Sequence, residues 1–130
     1  MEKFSTGPIE VTWDPEARVA LLRFASETRA TGPDARALVE ALTAWIGTDG
    51  RPFALLGDGG RLSGLDAEYR SVWAKFFREH RDDSYLAFFN MRQIVRIAAE
   101  MFRIGTGLRL RAFAREEEAR AWLREVGIAA

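Results

Sequence analysis

The sequence contains no cysteine, which excludes disulfide bonds, thiolate zinc sites, iron–sulfur clusters and cysteine nucleophiles. No apolar run approaches the roughly 20 residues of a membrane-spanning helix, and the N-terminus lacks the basic and apolar regions of a secretory signal. An excess of charge is missing too, because 19 basic residues balance 19 acidic ones. This balance argues against a general nucleic-acid binder. Together these absences favour a cytoplasmic protein, and the length of 130 residues indicates one domain.

Hydrophobic periodicity predicts alternating strands and helices after a loose lead-in over residues 1–8. Ile9–Trp13 alternates apolar and polar residues, and Val19–Phe24 follows a proline turn, so we expect the two to form an antiparallel hairpin. Further strands are predicted at Phe53–Leu56, Tyr85–Phe89 and Leu108–Phe113. Helical stripes lie over residues 38–46, 65–77, 94–102 and 119–126.

The resulting order of elements is β-β-α-β-α-β-α-β-α, which predicts an α/β fold. We expect a mixed, mostly parallel five-stranded sheet, built from successive β-α units with an N-terminal antiparallel hairpin, in one domain over residues 9–130. Strands that are apolar on both faces belong in the middle of such a sheet. Val19–Phe24, Phe53–Leu56 and Tyr85–Phe89 are therefore predicted to be central, with Ile9–Trp13 and Leu108–Phe113 at the two edges.

A glycine-rich stretch lies between the strand at Phe53–Leu56 and the next helix, where open α/β sheets place their ligands. It lacks the Gly-Lys-Ser/Thr of a phosphate-binding loop and the glycine spacing of a dinucleotide fingerprint. Two interpretations stay open: a flexible turn, or a contact for an anion or a partner, helped by free amides at the helix start. The candidate contact residues are Asp58, Gly59, Gly60, Arg61, Ser63 and Gly64.

Ser63 has two interpretations of its own. As an N-cap in Ser63-Gly64-Leu65-Asp66 it would satisfy free helix amides, a contribution of about 1 kcal/mol to stability. As a phosphorylation site it would place a phosphate where those amides and Arg61 could receive it.

No arrangement of residues points to catalysis. His80, the only histidine, lies at a polar helix end, where we expect a solvated residue that complements the helix dipole. The acidic residues show no ligand spacing, so no metal and no cofactor are predicted. These acidic residues are Asp58, Asp66, Glu68, Asp82 and Asp83.

The third predicted helix carries Arg92 and Arg96 one turn apart, with Arg103 near the same face. These arginines are either a docking stripe for an acidic partner or a solvated polar face.

The segment from Leu110 to Leu123 joins a strand ending in Phe113 to a helix with an acidic start, followed by Ala119 and Trp122. With the order of elements, it resembles the end of small SpoIIAA-like proteins, which share their fold with STAS domains. The resemblance covers about residues 9–126. It implies β-α units wound as a superhelix, with helices mainly on one face of the sheet, and a regulatory role in protein binding without catalysis.

Anti-sigma-factor antagonists of this type carry a phosphorylatable serine in Asp-Ser-Ser-Gly or a similar stretch, at the start of the helix after a central strand. Here Ser63-Gly64 matches, whereas Arg61-Leu62 replaces the aspartate and the first serine. The resemblance therefore makes Ser63 a candidate phosphosite on part of the motif.

Helices on one face would leave apolar side chains uncovered on the other. Along Val19–Phe24, for example, successive side chains point to opposite faces. We expect a second subunit, and hence a homodimer, or the lead-in segment to provide the cover.

The leading hypothesis is a non-enzymatic bacterial regulator of the SpoIIAA-like type that binds another protein and no nucleic acid. A carrier of a small apolar or lipid-like ligand is the alternative, suggested by the aromatic stripe of the second helix, although core packing explains the same stripe. This stripe comprises Tyr69, Trp73, Phe76 and Phe77. An undetected hydrolase is the third hypothesis, disfavoured because the sequence has no recognisable nucleophile elbow.

Overall fold

Strands and helices alternate along the part of the chain that the computed structural model describes, residues 1–91 and 107–130. The strands there are β1 (Glu2–Thr6), β2 (Ile9–Asp14), β3 (Val19–Phe24), β4 (Thr28–Ala30), β5 (Phe53–Asp58), β6 (Leu62–Leu65), β7 (Ser84–Phe89) and β8 (Leu110–Ala112). The helices there are α1 (Gly32–Ile46), α2 (Ala67–Glu79) and α3 (Glu116–Glu125). The predicted third helix, with the candidate residues Arg92 and Arg96, lies outside the described residues.

The main sheet has the strand order β1-β2-β3-β5-β7-β8. The first three strands are antiparallel neighbours, and β3, β5, β7 and β8 are parallel neighbours. The predicted α/β class, the hairpin of β2 with β3, the central places of β3, β5 and β7, and the edge position of β8 are confirmed. The main sheet has six strands where five were predicted, and β4 and β6 form a separate parallel pair.

The N-terminal residues form an edge strand, so the prediction of a loose lead-in over residues 1–8 was wrong. β1 pairs with β2 from Glu2 opposite Trp13 to Thr6 opposite Ile9. Gly7 makes the tight turn between them with a φ of 55°, a conformation that glycine adopts readily. β2 is consequently an inner strand, which corrects its predicted edge position.

Helices α1 and α2 pack on one face of the sheet and bury the larger apolar core. Leu38 and Leu42 of α1 are fully buried there. The aromatic side chains of α2 belong to the same core, each at most 8% exposed, and this burial accounts for the stripe seen in the sequence. These side chains are Tyr69, Trp73, Phe76 and Phe77.

Helix α3 covers the opposite face of the sheet. Ala119 and Leu123 are both 0% exposed and pack with Leu56 of β5 and Phe89 of β7 in a second core. The lead-in segment does not cover this face, which corrects that part of the expectation, and the homodimer stays a prediction. The chain supplies its own cover, because it crosses to this face after β8 and returns as a helix over the central strands.

Candidate functional site

The parallel strands β5 and β7 end side by side, with Asp58 opposite Phe89. A turn over residues 59–61 leads from β5 into β6, and Asn90 follows β7. We call the surface made by residues 58–64 and Asn90 the strand-end rim. It lies at the carboxyl ends of parallel strands, the position where folds of this class place ligands and partners.

Asp58 holds the rim together. Its Oδ1 accepts hydrogen bonds from the Gly60 amide at 3.0 Å and from the Asn90 side-chain amide at 3.4 Å. The Gly59 amide donates to the Phe89 carbonyl at 2.8 Å, which fastens the turn to β7. Asn90 has a φ of 57°, a left-handed conformation that asparagine tolerates better than most residues. These hydrogen bonds give the turn a defined backbone conformation.

Two glycines allow the backbone under the rim to pack closely. A Cβ at Gly57 would lie 2.7 Å from the Phe88 ring, and a Cβ at Gly59 would lie 2.6 Å from Cγ of Met91. A side chain at either position would require Phe88 or Met91 to move, and Phe88 has the less flexible side chain of the two. This close approach explains the glycine-rich sequence without a phosphate ligand.

Arg61 connects the rim to the neighbouring strand pair. Its guanidinium donates a hydrogen bond to the Ala25 carbonyl, and its own carbonyl accepts from the Thr28 amide at 2.9 Å. The side chain remains exposed. A positive charge is therefore held at a defined place on the surface.

Ser63 lies exposed on β6 and does not cap a helix, which corrects the predicted capping box. The N-cap of α2 is Asp66, whose Oδ1 accepts from the Tyr69 amide at 2.7 Å. Pairing of β6 with β4 keeps the chain extended as far as Leu65 and so delays the helix start. A phosphate on Ser63 would consequently not meet the free amides of the helix.

A family model described as SpoIIAA-like matches residues 21–124. The chain belongs to the SpoIIAA-like family. Among curated proteins, none matches this SpoIIAA-like sequence.

Two crystal structures share the fold of this SpoIIAA-like chain. An uncharacterised protein of the DUF3478 family with a SpoIIAA-like fold, from Shewanella loihica PV-4, has a TM-score of 0.69 at 16% identity, covering 92% of this chain and 98% of that one. The structure of apo-SiaC from Pseudomonas aeruginosa has a TM-score of 0.60 at 14% identity, covering 88% of this chain and all of that one (100%). At these identities the likeness concerns the fold alone.

The histidine of the SpoIIAA-like domain lies at the other end of the strands from the rim. His80 follows α2 and contacts Phe53 and Phe76, with ring centroids 5.3 and 4.7 Å away. Its Nδ1 lies 3.2 Å from Oδ2 of Asp83. The predicted solvated position is thus corrected to a half-buried one, because the aromatic rings cover one side of the imidazole.

The candidate residues of the SpoIIAA-like domain fall into two groups. One group comes together along the rim: Asp58, Gly59, Gly60, Arg61, Ser63 and Gly64. The second, Arg92 and Arg96, lies outside the described residues. Asn90 was not among the predicted residues, although a polar residue directly after a buried strand is a signal for this edge of the sheet.

Across residues 1–91 and 107–130, no three histidine, aspartate or glutamate side chains are grouped to hold a metal ion. Over the same ranges, every helix is too short or too polar to span a bilayer.

Proposed function

We propose that this SpoIIAA-like chain is a non-enzymatic regulatory module that binds another protein through the strand-end rim. The observation that carries the proposal is the ordered, exposed rim itself. Gly60, Arg61, Ser63 and Asn90 are exposed, while Asp58 fixes the turn from beneath. The resemblance to SpoIIAA-like regulators supports protein binding as the use of such a surface.

The order of the rim favours docking because little conformational entropy is lost on binding. The turn is hydrogen-bonded to β7 through Gly59 and to β4 through Arg61. A surface that is already fixed binds with higher affinity than a flexible one that makes the same contacts, because less conformational entropy is lost when its loops and side chains are immobilised.

Charge on the rim favours an acidic partner. Arg61 is exposed, and Arg29 is exposed beside it on the paired strand β4, with its Nη1 3.4 Å from where a Cβ on Gly64 would lie. The Asp58 carboxylate accepts hydrogen bonds from two neutral amides and keeps its charge, so two cations stand against one anion among these three side chains. An approaching partner therefore meets positive charge, which complementary acidic groups would neutralise.

Phosphorylation of Ser63 belongs to the same proposal. The hydroxyl is exposed between Arg61 and the position paired with Arg29. A phosphate would add about two negative charges and reverse the local sign of the rim. An acidic partner would then be released, a mechanism that does not depend on a helix N-terminus.

A binding comparison of Ser63 variants tests the proposal. The partner is recovered from the native cell on the wild-type chain, and its affinity for purified wild type, Ser63→Ala and Ser63→Asp is then measured. We expect Ser63→Ala to bind as wild type, and Ser63→Asp to bind roughly tenfold more weakly because like charges repel.

Ser71→Asp is the matched control, because Ser71 is also an exposed serine but lies on α2, away from the rim. It should bind as wild type. Equal affinity for wild type, Ser63→Asp and Ser71→Asp would contradict both the docking surface and its control by phosphate.

A further inference from the structure

A groove separates the edge strand β8 from helix α3, on the face of the sheet that α3 covers. Its volume is about 660 Å³, within the usual range of small-molecule sites. Besides Leu108 and Leu110, it is lined by Tyr85, Arg109, Arg111, Trp122 and Val126. The groove shares no residue with the strand-end rim.

Two cations lie in this groove, Arg109 directly before β8 and Arg111 within it. Leu108 and Leu110 are buried in the core under α1 and α2. Arg109 contacts Tyr85, and Arg111 contacts Phe113 and Trp122. These three aromatic residues pack against the second core, so both arginines lie on the opposite face. On the central strands this face carries apolar residues such as Leu56 and Phe89, so a pair of arginines at β8 is a departure from the pattern.

Arg109 is held in one position by the groove wall. Its guanidinium lies 4.1 Å from the Tyr85 ring centroid, donates to the Tyr85 hydroxyl at 2.9 Å and donates to the Arg81 carbonyl at 3.1 Å. Its Nε is buried and has no hydrogen-bond partner in the described part of the chain. Within that same part, no carboxylate lies within ion-pair distance of Arg109.

The guanidinium of Arg111 lies near two aromatic rings. It is 5.4 Å from the Phe113 ring centroid and 5.9 Å from that of Trp122. No described carboxylate pairs with it either. Two positive charges that have no carboxylate partner among the described residues repel each other, and an anion placed between them would relieve this repulsion.

We propose that this groove binds a small organic anion, in which a carboxylate, sulfonate or phosphate is attached to a flat apolar body. The anionic group accepts hydrogen bonds from Arg111 and is attracted by the fixed charge of Arg109. The apolar body lies against Trp122 and Val126, which are half-buried along the opposite wall. Guanidinium groups suit this role because they present several donors to one oxyanion.

A pair of dyes tests the proposal with the full chain. 1-Anilinonaphthalene-8-sulfonate supplies the anion on an aromatic body, and N-phenyl-1-naphthylamine supplies the same rings without charge. We expect the sulfonate dye to bind saturably at one site, at least about tenfold more tightly than the neutral dye, since charged hydrogen bonds contribute this much. Titration should also shift the indole N–H resonance of Trp122.

Arg111→Gln removes the exposed charge and should lower the affinity for the sulfonate dye by roughly tenfold. Arg70→Gln is the matched control, because Arg70 is an exposed arginine on α2, on the other side of the sheet. It should leave binding unchanged. The proposal would be overturned if the sulfonate dye did not bind, or if it bound no more tightly than the neutral dye. It would also be overturned if Arg111→Gln bound the sulfonate dye as wild type does, or if the Trp122 resonance did not shift.

Discussion

Replacing Leu123 with alanine tests whether α3 is the cover of the second sheet face. Leu123 is 0% exposed and packs in the core with Leu56 and Phe89. The substitution removes the three outer carbons of the side chain, and each buried carbon contributes about 0.8 kcal/mol. The transfer term is therefore about 2.4 kcal/mol, and the cavity left behind adds to it. We expect the free energy of unfolding to fall by about 3–4 kcal/mol.

Urea denaturation measures this loss, and a thermal melt should show a midpoint lowered by about 10 °C for a chain of this length. Both are run at two protein concentrations roughly tenfold apart, because only stability that depends on association varies with concentration. We expect no such variation. Glu125→Ala, an exposed change in the same helix, is the control and should stay within about 0.5 kcal/mol of wild type.

Two results would refute the reasoning. A loss below about 1 kcal/mol would mean that Leu123 is not packed against the sheet. A wild-type midpoint that rises with protein concentration would mean that a second copy, and not α3 alone, covers this face.

Substitutions at Asp66, Ser63 and Tyr69 test the N-cap of α2 and the buried tyrosine on the same helix. Asp66→Ala should lower the free energy of unfolding, measured by urea denaturation, by about 1 kcal/mol, whereas Ser63→Ala should leave it unchanged. A loss of stability in Ser63→Ala and none in Asp66→Ala would mean that Ser63 is the N-cap. Burial raises the pKa of Tyr69 to about 12, so the folded chain holds this proton more tightly than the unfolded chain, in which tyrosine titrates near about 10. The associated stability is present below about pH 10 and is lost as the pH rises towards 12, and Tyr69→Phe should abolish that part of the pH dependence of unfolding.

The central strands could be predicted from the sequence because a strand that is buried on both faces consists of an uninterrupted run of apolar residues. Phe53, Leu55 and Leu56 are all 2% exposed or less, and no polar residue interrupts them. β1 could not be predicted in this way, because Phe4 is its only apolar residue. Its strand conformation comes from pairing with β2, a long-range effect that local periodicity does not contain.

The position of the α2 start could not be predicted either. Ser63 and Asp66 are both good capping residues, and each is followed by a plausible helix. The decision between them depends on the pairing of β6 with β4, two short strands more than thirty residues apart that carry little hydrophobic signal of their own. The position of the rim residues after β5 could be predicted, whereas the strand conformation of Ser63 could not, and their role in binding stays a prediction.

The pairing of β4 with β6 links the beginnings of two helices. The Asp66 amide donates to the Ala30 carbonyl at 3.0 Å, and Thr31 and Asp66 are the residues from which α1 and α2 begin. The strand that carries Ser63 is therefore joined through the backbone to the first turns of both helices. A substitution that breaks this strand pair is expected to lower the stability of the larger core, because α1 and α2 bury their apolar side chains there.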